Sequence, residues 1–592
     1  MDKPISDFVR AGTVEELKVT GRRVMRGRHR PILLVYDNGR VFAFDNRCPH
    51  MGFPLDRGSI EDGILTCHWH HARFALASGC TFDLWADDVP TCPVEIRADN
   101  EIWVKPVFGY ADPVEHWHRR LADGLAHNLS LVIAKAVYGQ LAAGQKPTDV
   151  LRQAALFGTS NRDGWSTGLT ILTALGRLLP FLPDEETHLA LFHGVRRVAQ
   201  DCDGETPRRE RAPLETSPDH ATLKNWLRRW VAVRHREAAE RTVLTAIAGG
   251  ASPAALADLL LAAETDRAYA DTGHALDFIN KALECLDLIG WEHAPAVLPS
   301  VVGQMAASRG AEESTAWRQP IDLAALCQRA ALELLHLFAA PRARGWADHA
   351  LLAQSLLADD PGAVIDALKA AAQAGASPAD LGRALAYAAA LRVARFGTAN
   401  EHADWETAHH VFTYANAVHQ ALKRIGSEAT VATGTVEGVR GLLHGAMALY
   451  LARYLNVPPA PLPGESGNRL DDLPIAAEEI RSALLDAFDR QHQIDIAARL
   501  VARHLILGHP PEALIATLAR ALLREDAGFH AYQMLEAGVQ QFREWGNGDQ
   551  GRHILIAVAR YLAAHSPTER AALQTADIAR RLMLGSELHR TA

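Results

Sequence analysis

The chain has 592 residues, 48% hydrophobic and 22% charged, with a formal net charge of −9 at pH 7. That length exceeds what one hydrophobic core serves, so a multidomain protein is expected. An acidic balance without a basic block argues against nucleic acid as a partner. No apolar run reaches membrane-spanning length, and Met1-Asp2-Lys3-Pro4 has no apolar signal core, which together predict a cytoplasmic protein with no membrane partner.

The first hundred residues read as β structure. Ile32–Tyr36 and Val41–Phe44 are short, apolar and β-prone, and Asp37-Asn38-Gly39 between them is a strong hairpin signal. Gly58, Gly63 and Gly79 punctuate the next stretch, and Val94–Ile96 and Ile102–Val104 read as closing strands around Asp99-Asn100. This predicts a small all-β domain over residues 1–108.

Two loops of that domain carry the chemistry. Cys48-Pro49-His50 is separated by sixteen residues from Cys67-His68-Trp69-His70. Soft thiolates at Cys48 and Cys67 suit one ferric, sulfide-bridged iron, and neutral imidazoles at His50 and His70 suit a second. Two neutral ligands leave such a cluster less negative than four thiolates would, so it accepts an electron more easily. Zinc is the alternative, although zinc fingers usually pair two cysteines in one half and two histidines in the other. Cys80, Cys92, Cys202, Cys285 and Cys327 read as small apolar residues outside any disulfide framework.

The pair of loops, with Ala72-Arg73-Phe74-Ala75-Leu76-Ala77-Ser78-Gly79 after them, resembles the Rieske [2Fe-2S] domain of ferredoxins and oxygenases. The resemblance implies a [2Fe-2S] cluster at Cys48, His50, Cys67 and His70, and single-electron transfer. Met51-Gly52-Phe53 and His68 stand where respiratory Rieske proteins carry a bracing disulfide, so none is expected. Few hydroxyls near Cys67 are placed to hydrogen-bond the sulfurs, which predicts a low potential. The chain departs from the pattern at His68, where proline is usual, and at His71, where glycine is usual.

From Ala111 to residue 592 the texture is helical, with apolar residues at helical spacing, as in Leu129-Val132-Ile133-Ala136-Val137. G-x-x-P turns at Gly144–Pro147, Gly250–Pro253, Gly375–Pro378 and Gly508–Pro511 put successive prolines 106, 125 and 133 residues apart. Glycine can end one helix and proline open the next. A large all-α domain of about four helical repeats is expected, over 111–205, 218–308, 318–456 and 470–570.

Histidine recurs in these units, at His274, His409, His410 and His530 after acidic loops, and at His193, His293, His444 and His553 in later helices. Each has an ordinary structural reading as a capping or paired side chain. Histidine within an apolar helix face, as at His193 and His444, is costly to bury unless bonded or metallated. One imidazole from each of several helices builds a metal site, and non-haem iron is the expected metal. Asp271, Glu401 and Asp404 are candidate partners that orient the imidazoles. The usual 2-His-1-carboxylate spacing of Rieske oxygenases is not found, and there is no later β-rich region. Through the texture of Leu442–Ala446 and His274–Leu283, the helical part resembles the questin-oxidase-like family, which implies a histidine-bound iron and oxidative opening of an aromatic substrate. The expected function is therefore iron-dependent oxidation of a small organic substrate with dioxygen. Electrons would come through the [2Fe-2S] cluster from a redox partner, a ferredoxin or flavin reductase. The alternative is an electron-transfer or redox-sensing domain on a helical docking scaffold.

Overall fold

A computed structural model describes residues 8–26, 30–110, 112–339, 345–426, 436–465 and 468–586. Met1-Asp2-Lys3-Pro4 and Ala111 lie outside the described residues. A small β domain precedes a large helical region, as the texture predicts. The chain divides into two compact units, Met1–Val150 with Ala571–Ala592, and Leu151–Arg570.

The first unit holds nine strands among the described residues: β1 (Val9–Thr13), β2 (Arg22–Arg26), β3 (Pro31–Asp37), β4 (Arg40–Asp45), β5 (Ser59–Glu61), β6 (Ile64–Thr66), β7 (Arg73–Ala75), β8 (Val94–Ile96) and β9 (Glu101–Val104). They form three antiparallel sheets in the orders β1-β9-β8, β2-β3-β4 and β5-β6-β7. Strand β3 reads Ile-Leu-Leu-Val because both its faces are buried. Leu33 and Val35 join Phe44, Leu65 and Phe74 in one core, and Ile32 and Leu34 join Ala43, Ile102 and Val104 in another. Between β3 and β4, Asn38 and Gly39 take φ of 47° and 83°, the two left-handed residues that a tight hairpin needs.

Among the described residues strand structure ends at Val104, yet the helices Pro113–Ala126 and Ser130–Ala142 belong to the same compact unit, as does Ala571–Met583. Asp112 caps the first of these, its carboxylate accepting from the Glu115 amide, with Pro113 at the first helical position. Gly139 lets the Trp117 ring lie against the second helix, since a Cβ there would sit 2.3 Å from the indole. Buried charge joins these helices to the β domain. Asp87 accepts from Arg120 Nε at 3.0 Å and from Lys135 Nζ at 2.5 Å, and all three side chains are at most 4% exposed.

The second unit is helical. Gly250, Gly375 and Gly508 come after helix ends with φ of 77°, 106° and 76°, and Pro253, Pro378 and Pro511 open the next helices. The helix His402–Gly426 packs against His274–Ile289 and Phe529–Trp545, and the last packs against Asp549–Ala564. A buried ionic group ties His274–Ile289 to Phe529–Trp545. Lys281 pairs with Glu284 at 2.8 Å and with Glu536, which also accepts from Arg177 at 3.0 Å. No helix among the described residues is long and apolar enough to cross a membrane.

Candidate metal centres

In the first unit, Cys48 and His50 lie on the loop after β4, and Cys67 and His70 on the loop between β6 and β7. Each loop is closed by its own backbone. Cys48 donates its amide to Phe53 O at 2.8 Å and accepts from the Gly52 amide at 2.7 Å, while Cys67 donates to Ala72 O at 2.8 Å. Both turns need a left-handed residue, Gly52 at φ 77° and His71 at φ 63°. His71 thus takes the conformation glycine would supply, at a cost of about 1 kcal/mol.

The loops bring the four side chains together. Both cysteines are buried, and the His50 and His70 rings stand edge to face with centroids 4.7 Å apart. A shared hydrogen bond splits the thiols, pushing Cys48 up with burial adding, and bringing Cys67 down to about 6. Burial lowers His50 to about 4, with Lys135 and His70 adding, so its ring is neutral at pH 7. Its Nδ1 is buried and has no hydrogen-bond partner. Two buried cysteine sulfurs and a buried imidazole nitrogen with no partner fit a site for metal ions that take soft sulfur and nitrogen ligands. Lys135 Nζ reaches the same loop, donating to Pro49 O at 2.6 Å.

The second unit gathers some of the recurrent histidines and leaves others apart. His274, His410 and His530 each place a ring nitrogen within 4.8 Å of the others. His410 Nε2 and His530 Nε2 are 3.1 Å apart, and the His274 ring lies 4.4 Å from His410 and 5.4 Å from His530. His409 stands beside them, fully buried, its ring 5.0 Å from that of His530 and both its nitrogens without a hydrogen-bond partner. Burial lowers His274 to about 4, with His530 adding, and His410 to about 3, with His274 and His530 adding. Both are neutral at pH 7, the form that binds metal. The backbone pays for His274 with strain, since Tyr269, Asp271 and Thr272 take φ of 44°, 46° and 55° immediately before its helix.

The remaining candidate histidines lie outside this group. His193 Nε2 donates to Leu523 O at 3.0 Å, so its Nδ1 accepts from Tyr532 Oη at 3.0 Å and both nitrogens are used. His553 Nδ1 is bonded to Tyr387 Oη at 2.8 Å, and His293 lies 3.7 Å from Glu292. His444 is buried with its ring 6.4 Å from Trp317, outside the cluster. Asp271 accepts from the Arg309 amide, and Asp404 accepts from the Glu401 amide at the start of its helix.

The carboxylate that does meet the histidines is Glu406. Its Oε2 pairs with His530 Nδ1 and lies 3.8 Å from His410 Nε2, and its Oε1 accepts from Tyr561 Oη at 3.0 Å. Burial pushes Glu406 up, but His530, Tyr561 and His565 outweigh it and hold the carboxyl at about 2. His402 and His565 complete a second group with Glu406. Reading the sequence does not find these three. His402, Glu406 and His410 recur every fourth residue along one helix face, a legible signal. His565 has no such signal, because only the packing of its helix end brings it near.

Two cavities adjoin the cluster. One of about 720 Å³ is lined by His410, Val411, Tyr269, Trp317, Leu451 and Leu455, with mostly apolar walls. The other, of about 960 Å³, is lined by His402, Glu406, His410, His530, Tyr561 and His565.

Residues 6–92 match the Rieske [2Fe-2S] domain family. Over 90 residues the chain is 37% identical to the 3-phenylpropionate/cinnamic acid dioxygenase ferredoxin subunit of Photorhabdus laumondii, covering 15% of this chain and 85% of that one. Over 48 residues it is 44% identical to apoptosis-inducing factor 3 of Mus musculus, and it spans just 8% of that relative's length and 8% of its own. The ferredoxin of carbazole 1,9a-dioxygenase from Nocardioides aromaticivorans IC177 aligns at 27% identity and a TM-score of 0.17, over 17% of this chain and all of that one. The two loops, their convergent thiols and imidazoles, and the match over residues 6–92 lead to one identification: through its N-terminal domain, the chain belongs to the Rieske [2Fe-2S] family.

Proposed function

We propose that the protein is an oxidoreductase that passes electrons from a [2Fe-2S] cluster to an iron ion in the helical unit and oxidises an organic substrate with dioxygen. Cys48 and Cys67 would hold one iron of the cluster, and His50 and His70 the other. When bound, the cluster takes up and gives out one electron at a time. A cytoplasmic ferredoxin or flavin reductase is the expected donor.

In the helical unit, His274, His410 and His530 would hold the iron. Glu406 accepts from His530 Nδ1, which fixes the tautomer and turns Nε2 toward His410. The 720 Å³ cavity shares His410 with this group and has the size and apolar lining of a small-molecule site. Its Tyr269, Trp317, Val411 and Leu455 walls would hold an apolar substrate beside the metal. The observation that carries the reading is the meeting of three imidazole nitrogens, with one of the three residues, His410, lining an apolar cavity.

Metal analysis of the full chain, purified without chelators, tests it. At least three irons per chain are expected, and His410→Ala should lose the non-cluster iron while retaining the reduced Rieske signal in electron paramagnetic resonance. Two irons and no other metal would refute the reading and leave an electron-transfer domain on a helical docking scaffold.

A further inference from the structure

We propose that the helical unit holds a second divalent metal ion, between His402, Glu406 and His565, next to the three-histidine site. The inference rests on the reading of that first site as a metal site, and it adds a separate set of ligands with its own open face.

The positions of the protons point to a cation here. His565 Nδ1 lies 2.7 Å from the Tyr561 carbonyl oxygen, which can only accept, so Nδ1 carries the hydrogen. With Nδ1 committed to that carbonyl, the lone pair of the ring stands on Nε2. That atom is buried, has no hydrogen-bond partner, and faces Glu406 Oε1 at 3.7 Å. Oε1 accepts from Tyr561 Oη and keeps a further lone pair for that nitrogen in a half-buried place. A cation between the two atoms would satisfy both. His402 Nδ1 approaches the same oxygen at 4.0 Å from the solvent side, and its ring stands 4.4 Å from that of His565.

The spacing suits a metal. Two donors each about 2.1 Å from one ion lie roughly 3.0–3.5 Å apart, so closing from 3.7 and 4.0 Å takes only a few tenths of an ångström. His402 is 71% exposed and can make that movement freely. Two imidazoles and one carboxylate with open positions are the donor set of non-haem iron(II) and neighbouring first-row ions. The open positions face the 960 Å³ cavity, which His402, Glu406 and His565 line together with His410 and His530.

Glu406 links the two sites. Its Oε1 serves the second ion, while its Oε2 pairs with His530 Nδ1 and thereby orients a ligand of the first. Tyr561 holds the carboxylate in that orientation through its hydroxyl. Occupation of one site therefore shapes the other, through a side chain that belongs to both.

The test uses the full chain, stripped of non-cluster metal with a chelator, loaded with cobalt(II) alone under argon and desalted. The Rieske signal checks that the cluster is retained, and visible d–d absorption reports coordination. Two cobalt ions per chain are expected in the wild type. His402→Ala should keep one ion and its absorption band, with cobalt affinity at the other site lowered at least ten-fold. His402 is exposed at the start of its helix, so the variant folds, and far-ultraviolet circular dichroism checks this. One cobalt in the wild type would overturn the second site and leave the three-histidine site standing. Two cobalt ions in both proteins, with unchanged affinity, would also overturn it. No cobalt in either would remove both sites together.

Discussion

Replacing Lys135 by methionine should loosen the Cys48–His50 loop from a distance along the chain. Lys135 is 2% exposed and gives one ammonium hydrogen to Asp87 Oδ2 at 2.5 Å and another to Pro49 O at 2.6 Å. Methionine keeps the apolar stem and removes the charge. Asp87 is then left buried with Arg120 as its one remaining close cation, and the Pro49 carbonyl loses its donor. Breaking a buried pair costs about 3–5 kcal/mol, and the surviving Arg120 contact at 3.0 Å places this case near the lower end, about 3 kcal/mol. That corresponds to roughly a hundred-fold change in an opening equilibrium. Hydrogen–deuterium exchange read on peptides covering Cys48–Phe53 should show protection falling by about that factor. The helix Phe529–Trp545, in the other unit, serves as the unaffected reference. The double variant Lys135→Met with Asp87→Asn should recover much of the loss, because the orphaned charge is gone. Protection within three-fold of wild type in the single variant would refute the assignment of Lys135 as the loop's anchor.

Reduction with dithionite should give a Rieske-type paramagnetic signal, and Cys67→Ser should abolish it while the helical unit stays folded by circular dichroism; a retained signal would overturn the ligand set. His71→Gly should raise the stability of the second loop by about 0.5 kcal/mol, the relief of left-handed strain less the chain entropy of glycine, measured by thermal loss of cluster absorbance. Acid should weaken the helical unit. Burial holds His193 at about 4 and His444 at about 3, so the unfolded chain binds their protons first. Their contribution is complete above the unfolded value near 6.5 and is lost as pH falls toward the folded values, with a slope of up to about 2.7 kcal/mol per pH unit. The thermal midpoint should therefore fall steeply from pH 6 to pH 4, and His444→Leu should flatten that fall.

Much of the molecule is legible in the sequence. The Rieske loops are short, and their donors stand within three residues of each other, so local spacing alone brings Cys48 beside His50 and Cys67 beside His70. The hairpin at Asn38-Gly39 and the glycine–proline turns are legible for the same reason, since backbone conformation there depends on the residues themselves. The helical histidines are legible as a set rather than as a site. Every one of His193, His274, His444 and His530 lies near apolar neighbours in sequence, and nothing local distinguishes a ring that spends both nitrogens on Leu523 and Tyr532 from one that faces two other imidazoles.

What the chain by itself determines is the set of elements and the chemistry of the two loops, because propensity, capping and short-range spacing act over a few residues. What only the tertiary structure decides is which side chains share a point in space. Glu406 and His402 stand on one helix face and could be read from their four-residue spacing, but His274 and His530 reach them from two other helices and His565 from just past the end of a third. Their meeting is set by how helices pack, including the buried Lys281–Glu536 pair that ties two of them together. Packing of that kind sums many weak contacts between residues far apart in the chain, and no short window of sequence contains it.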